Sequence, residues 1–212
     1  QHARRAAVVE LAAEDGEPRE ISWSLLNRRV DDIAAGLLAH GVRPGDRVSL
    51  LITPGADLTG VLYACFRIGA VAVVADAGLG IPGLTRAVIG SHPDWFIGIK
   101  RALVGARALG WPGRRLSVEQ LPTVDRVALG VETSIAELAR SGSMMRELGA
   151  PLDAAFPAPD ADAAILFTSG STGPAKGAVL THRQLGAMFA AVGDTLQLDP
   201  ERGLVAGFAT FA

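Results

Sequence analysis

The apolar positions of the chain switch repeatedly between helical and strand spacing. Leu26, Val30, Ile33, Ala34, Leu37 and Leu38 fall on one helical face, with Ser22 placed to cap the start and Gly41 to end it. The turn V-R-P-G-D follows, and R-V-S-L-L-I then reads as a buried strand. A second helix is predicted from Asp57 to Ile68, with Leu58, Val61, Leu62, Cys65 and Ile68 on one side, and the strand A-V-A-V-V-A comes next. A helix over Ile81 to Gly90, a strand at W-F-I-G-I and a helix over Arg101 to Leu109 continue the alternation. Arg86, Arg101 and Arg107 fall on the polar sides of these helices, where solvated charge is the default. Such alternation argues for α/β layering with parallel strands, because strands covered on both faces read as near-continuous apolar runs.

The flanking stretches are less regular. An apolar run from Ala6 to Ala13 gives way to the charged turn E-D-G-E-P-R-E. Trp111-Pro112-Gly113 is a turn, and Ser117 to Gly149 predicts one short helix near Ser134 to Arg140 with a polar break at S-G-S. Pro151 to Asp162 reads as a surface connector. Ile165, Leu166 and Phe167 then form a short strand, and Ala178, Val179 and Leu180 a second apolar step. Thr181 and Gln184 offer a capping box to a helix spaced by Leu185, Met188, Phe189, Val192 and Leu196, which makes Met188 and Phe189 core residues. A last strand is predicted from Gly203 to Phe208.

Composition narrows the class. With 212 residues, 49% of them hydrophobic, the chain can bury a sizeable core. A net charge of -2, both signs interspersed, provides no basic footprint for nucleic acid or an anionic membrane. No run approaches the roughly 18 apolar residues of a membrane span, and Q-H-A-R-R lacks a signal-peptide core, so a cytoplasmic protein is expected. Ending on F-A-T-F-A, the chain is expected to be a piece of a longer protein, cut inside a domain on its C-terminal side. Oligomeric state is not readable.

Between the two apolar steps lie Thr168, Ser169, Gly170, Ser171, Thr172 and Gly173, followed closely by Lys176. Polyphosphate binding needs backbone N–H groups brought close, which glycine permits, together with hydroxyl donors and a cation. A solvated turn has similar composition, but this loop exceeds the two to five residues a hairpin needs. Lysine is also rare here: of 20 basic residues only Lys100 and Lys176 are lysines. A Walker loop requires Gly before its Lys and Ser or Thr after it; Ala175 and Gly177 stand there instead. The loop is therefore expected between two strands. No G-x-S-x-G nucleophile elbow and no Cys/His spacing suited to a metal is present. Cys65 reads as a buried thiol, Asp76 as a turn former in preference to a ligand, and His182 as either a phosphate contact or a structural residue.

T-S-G-S-T-G-P-A-K-G followed by A-V-L-T-H-R resembles the phosphate-binding signature of the AMP-forming adenylating enzymes, which include acyl-CoA synthetases, peptide-synthetase adenylation domains and luciferases. One departure is Ala175, where such loops commonly carry Pro just before the Lys. The segments G-V-R-P-G-D-R-V and R-I-G-A-V-A-V-V-A-D extend the resemblance back to about Ile21. D-A-G-L-G-I-P-G-L and W-F-I-G-I-K are more loosely similar to the β-lactone synthetase branch of bacterial olefin formation. The resemblance implies an α/β fold of layered, parallel-rich sheets with flanking helices, part of a large N-terminal domain: residues 1–20 as a lead segment, residues 21–212 as a partial AMP-binding domain. It implies ATP and Mg²⁺, with Thr168, Ser169, Gly170, Ser171, Thr172, Gly173 and Lys176 on the phosphates, a small-molecule carboxylic acid, foremost a fatty acid, as substrate, and coenzyme A as acyl acceptor. A β-lactone synthetase acting on β-hydroxy acids and a non-catalytic truncated homologue are the alternatives. In each case the adenine-, ribose- and lysine-bearing segments of the family lie beyond Ala212, so the chain alone is expected to be inactive.

Overall fold

The computed structural model describes residues 5–10, 18–75, 77–149, 156–168 and 176–197. Asp76, part of the connector and the strand expected over Gly203 to Phe208 lie outside them. The chain opens with a hairpin of β1 (Ala6–Glu10) and β2 (Arg19–Ser22). There follow α1 (Trp23–His40), β3 (Arg47–Leu51), α2 (Ala56–Ile68), β4 (Val71–Ala75), α3 (Gly80–Ser91), β5 (Trp95–Gly98), α4 (Lys100–Ala108) and β6 (Arg114–Ser117). The remainder is α5 (Thr123–Leu129), β7 (Val131–Ser134), α6 (Ile135–Glu147), β8 (Asp162–Thr168), β9 (Lys176–Thr181) and α7 (His182–Thr195).

Strands β3 to β9 form one sheet in the order β7-β6-β5-β3-β4-β8-β9, parallel except for β9, which runs antiparallel to β8 at the edge. Alternate residues face opposite layers, as the pleat requires. Val48, Leu50, Ala72, Val74, Trp95 and Ile97 join α1, α2 and α6 in the main core. Phe96 faces α3, α4 and α5, where Val88, Leu103, Ala106, Trp111 and Leu129 pack. This three-layer α/β arrangement confirms the expected class. The N-terminal hairpin packs Ala7, Val8 and Ile21 onto the main core, and the Glu10 carboxylate accepts a hydrogen bond from the Ala56 N–H at the start of α2 (2.7 Å).

Helix α1 ends as its sequence indicates. The Ser22 hydroxyl accepts from Leu25 N, and Gly41, at φ 107°, returns its N–H to the carbonyls of Leu37 and Leu38. Its buried side meets α6 at unusually short range. A Cβ on Gly36 would lie 2.1 Å from the Leu138 carbonyl oxygen, and one on Gly142 would lie 1.9 Å from that of Asp32. Backbone touches backbone at this crossing. Arg146 of α6 flanks it, bonding Asp32 at 2.5 Å and reaching Asp31 at 3.7 Å, while Arg67 of α2 meets Asp31 at 3.2 Å.

Two expectations are corrected here. The stretch from Ser117 to Gly149 holds not one short helix but α5, β7 and the 13-residue α6, with β6 just before it. The S-G-S triplet lies inside α6, because Gly142 is where α1 presses closest. Met188 and Phe189 are not core residues: they are 49% and 60% exposed. Helix α7 is anchored through its first turn, where His182 N and Arg183 N donate to the carbonyls of Ala161 and Pro159, and no described element covers the apolar side that follows.

Gly142→Ala separates two effects of opposite sign. Helix propensity alone would stabilise α6 by about 1 kcal/mol. The clash with a backbone carbonyl should outweigh it and destabilise the fold by ~3 kcal/mol. Urea unfolding of the variant reads the difference, and a gain in stability would contradict the crossing described.

Candidate functional site

The strands β3 to β8 all run the same way, so their carboxyl ends share one edge of the sheet. In doubly wound α/β sheets this edge is where ligands bind. The register of β8 on β4 aligns Ala75 with Phe167, so β8 ends beside β4 at that edge. From there the chain enters the Gly/Ser/Thr loop and returns as β9, with Thr168 directly opposite Lys176. Seven residues therefore join two partners held at the ~5 Å spacing of an antiparallel pair. The loop lies between two strands, as the failed Walker spacing indicates. Ser169, Gly170, Ser171, Thr172 and Gly173 lie outside the described residues, as does the Thr168 side chain; Thr168 and Lys176 define the mouth.

Lys176 is the first residue of β9, exposed, and paired with no acid among the described residues. An exposed cation beside a glycine- and hydroxyl-rich loop at the carboxyl edge fits a polyphosphate. No group of three His, Cys, Asp or Glu suited to an ion occurs among the described residues. Beyond Thr181, whose hydroxyl accepts from Gln184 N while the Gln184 side chain accepts from Thr181 N, the helix starts where the capping box places it.

His182 stands at the other end of the hairpin. Six residues of extended chain put it roughly 20 Å from Lys176, where its ring meets Phe66 edge-on at 6.1 Å. Its Nε2 is buried without a hydrogen-bond partner among the described residues, and burial lowers its pKa. Of the two readings left open for it, the structural one holds. A shallow groove here is lined by Tyr63, Phe66, Phe156 and Pro157.

Another concavity, about 270 Å³, opens at the carboxyl ends of β6 and β7. It lies four strand spacings, roughly 19 Å, from β8. Its carboxylate, Glu137, is committed to structure: it accepts from the Thr133 hydroxyl (2.7 Å) and from Ser134 N (2.9 Å) in the capping box of α6, and Arg126 lies 3.5 Å away. These bonds, that from Thr133 foremost, hold it below the usual carboxylate range.

Cys65 is fully buried in the main core, and burial pushes its thiol up to about 12. No thiolate is available at neutral pH. The sequence reading missed one residue pair at the mouth, Phe167 and Gly177. A Cβ on Gly177 would lie 2.8 Å from the tip of the Phe167 ring; only the pairing of β8 with β9 makes that contact visible.

The loop that joins β8 to β9 is rich in glycine, serine and threonine, and Lys176 follows it as the first residue of β9. The chain belongs to the family of AMP-binding enzymes, whose model matches residues 1–211. It is 34% identical over 180 residues to the olefin beta-lactone synthetase of Xanthomonas campestris pv. campestris, a match covering 85% of this chain and 31% of that protein. It is 34% identical over 172 residues to the feruloyl-CoA synthase of an Amycolatopsis species, covering 78% and 29%. The fold also matches the A-PCP didomain of the carboxylic acid reductase of Segniliparus rugosus, solved with AMP, at a TM-score of 0.70 and 20% identity, covering 94% and 32%. The chain thus spans about a third of the length of the curated relatives it matches. Its fold is part of the large N-terminal domain of adenylate-forming enzymes. No described helix is long and apolar enough to cross a membrane.

Iodoacetamide should leave Cys65 unmodified in the folded chain at pH 8 and alkylate it once the chain is unfolded in guanidinium, as read by mass spectrometry. Modification of the folded chain would contradict the burial.

Proposed function

We propose that the loop forms the phosphate half of an ATP site in an enzyme that activates a carboxylic acid. The observation that carries this reading is the closure of the loop, with Lys176 exposed opposite Thr168 at the carboxyl edge of the parallel strands. A carboxylate oxygen attacks the α-phosphorus of ATP, the bond to the β-phosphate breaks, and pyrophosphate leaves as the acyl-adenylate forms. Thr168, Ser169, Gly170, Ser171, Thr172, Gly173 and Lys176 hold the β- and γ-phosphates, and Mg²⁺ shares their charge. Such chemistry rests on positioning and charge neutralisation and needs no protein nucleophile. In the second step the thiol of coenzyme A takes the acyl group, a thioester forms and AMP departs. The substrate in this reading is a small-molecule carboxylic acid of the fatty-acid class, and the protein works in the cytoplasm.

A second reading has its own support. The similarity to an olefin beta-lactone synthetase, 34% over 85% of the chain, equals in identity that to a feruloyl-CoA synthase. In this version the β-hydroxyl of a β-hydroxy acid captures its own activated carboxyl, closing a lactone and releasing AMP. Supplying the full-length enzyme with a β-hydroxy acid and ATP separates the two: lactone without coenzyme A supports ring closure, whereas thioester formed only with coenzyme A supports the ligase.

Carboxylate-dependent ATP–pyrophosphate exchange tests the shared first step. Lys176→Ala in the full-length enzyme should slow exchange at least ~10-fold, in keeping with the loss of a charge-assisted contact of about 1.5–3 kcal/mol. An unchanged rate would remove the loop from the site. The 212 residues alone should catalyse no exchange, and robust exchange by them would overturn the view that the site is incomplete here.

A further inference from the structure

We infer that Phe167 and Gly177 are a positioning pair that fixes the mouth of the loop, the ring of Phe167 lying across the edge strand in the space that glycine leaves open. The inference rests on the reading that the loop holds phosphate and adds how its lysine is kept in place. Phe167 and Gly177 face each other on β8 and β9, one step inside the Thr168–Lys176 pair. A Cβ on Gly177 would lie 2.8 Å from Phe167 Cζ, 3.0 Å from its Cε1 and 3.0 Å from Ile165 Cγ2. Gly177 is not among the residues with positive φ. Space, and not backbone freedom, is therefore what requires glycine at this position.

The two sides of the contact differ in firmness. The Phe167 ring packs with Val71, Val73 and Ile165 of the sheet. Among the described residues strand β9 has a single neighbouring strand, and its residues Lys176 to Val179 are exposed. A methyl group at 177 would therefore displace β9 more readily than the ring. Lys176, the adjacent residue, would move with the strand, away from the loop it closes. Displacements near 1 Å at a positioned group can cost up to ~100-fold in rate, so a contact remote from the reacting atoms can still govern them.

The test is a double-mutant cycle in the full-length enzyme. Gly177→Ala should raise the KM for ATP ~10-fold in pyrophosphate exchange, leave the KM for the acid and the Tm unchanged, and speed amide hydrogen exchange at Lys176 to Ala178. A purely structural role would lower Tm or the amount of active enzyme without altering the KM for ATP. In a Phe167→Leu background, where the ring tip is gone, the added cost of Gly177→Ala should fall severalfold, leaving only what Ile165 Cγ2 imposes. Either an unchanged KM for ATP and unchanged amide exchange in Gly177→Ala, or a penalty undiminished without the ring, overturns the inference. Lys176→Ala measured alongside distinguishes the failures: if it leaves the KM for ATP untouched, the phosphate reading fails, and amide exchange still reports whether the ring and glycine hold the strand.

Discussion

The parallel ladder between β4 and β8 carries the geometry of the candidate site. Four consecutive pairs, Ala72–Ala164 to Ala75–Phe167, join segments about ninety residues apart in the chain. This seating brings the end of β8 to the shared carboxyl edge and leaves β9 as the outer strand. The loop, its lysine and the ring of Phe167 take their places from it. Ordering so distant a pair carries a large loop-closure entropy, which the buried faces of Val73, Val74 and Ile165 must offset.

The layers on either side make that seating stable. Parallel strands need cover on both faces, and on one side α1 and α2 supply it together, through Ile33 and Leu37 and through Val61 and Ile68, all fully buried. The approach of α1 to α6 is limited by main-chain atoms, so the distance between these helices leaves no room for adjustment at Gly36 or Gly142. The hairpin of β8 and β9 contrasts with this, because no described strand pairs with the outer side of β9. The loop mounted there takes its position from local contacts, and Phe167 over Gly177 is one of them.

How much was legible varied with local signal. Helices α1, α2 and α3 carried periodic apolar faces, α1 with a cap at each end, and the capping box of α7 was visible at Thr181 and Gln184. Strands β6 and β7 were not visible, because R-R-L-S and V-E-T-S lie towards the far edge of the sheet and carry polar side chains that a half-covered strand tolerates. Helix α6 was cut short at Gly142, since a glycine between serines signals a break unless a neighbouring backbone is known to need the space. Met188 and Phe189 have helical spacing, but spacing states which side is apolar and not what covers it.

The phosphate reading of the loop comes from composition and spacing alone: glycine, hydroxyl and lysine at short range point to a ligand before any fold is known. The sequence also determined the α/β class, because the alternation of helical and strand periods is a local property. Strand order, the meeting of Thr168 with Lys176, the separation of His182 from them and the ring above Gly177 were decided only in three dimensions. Each depends on contacts between segments distant in the chain or across a strand pair, and pairing register leaves no trace in either strand by itself.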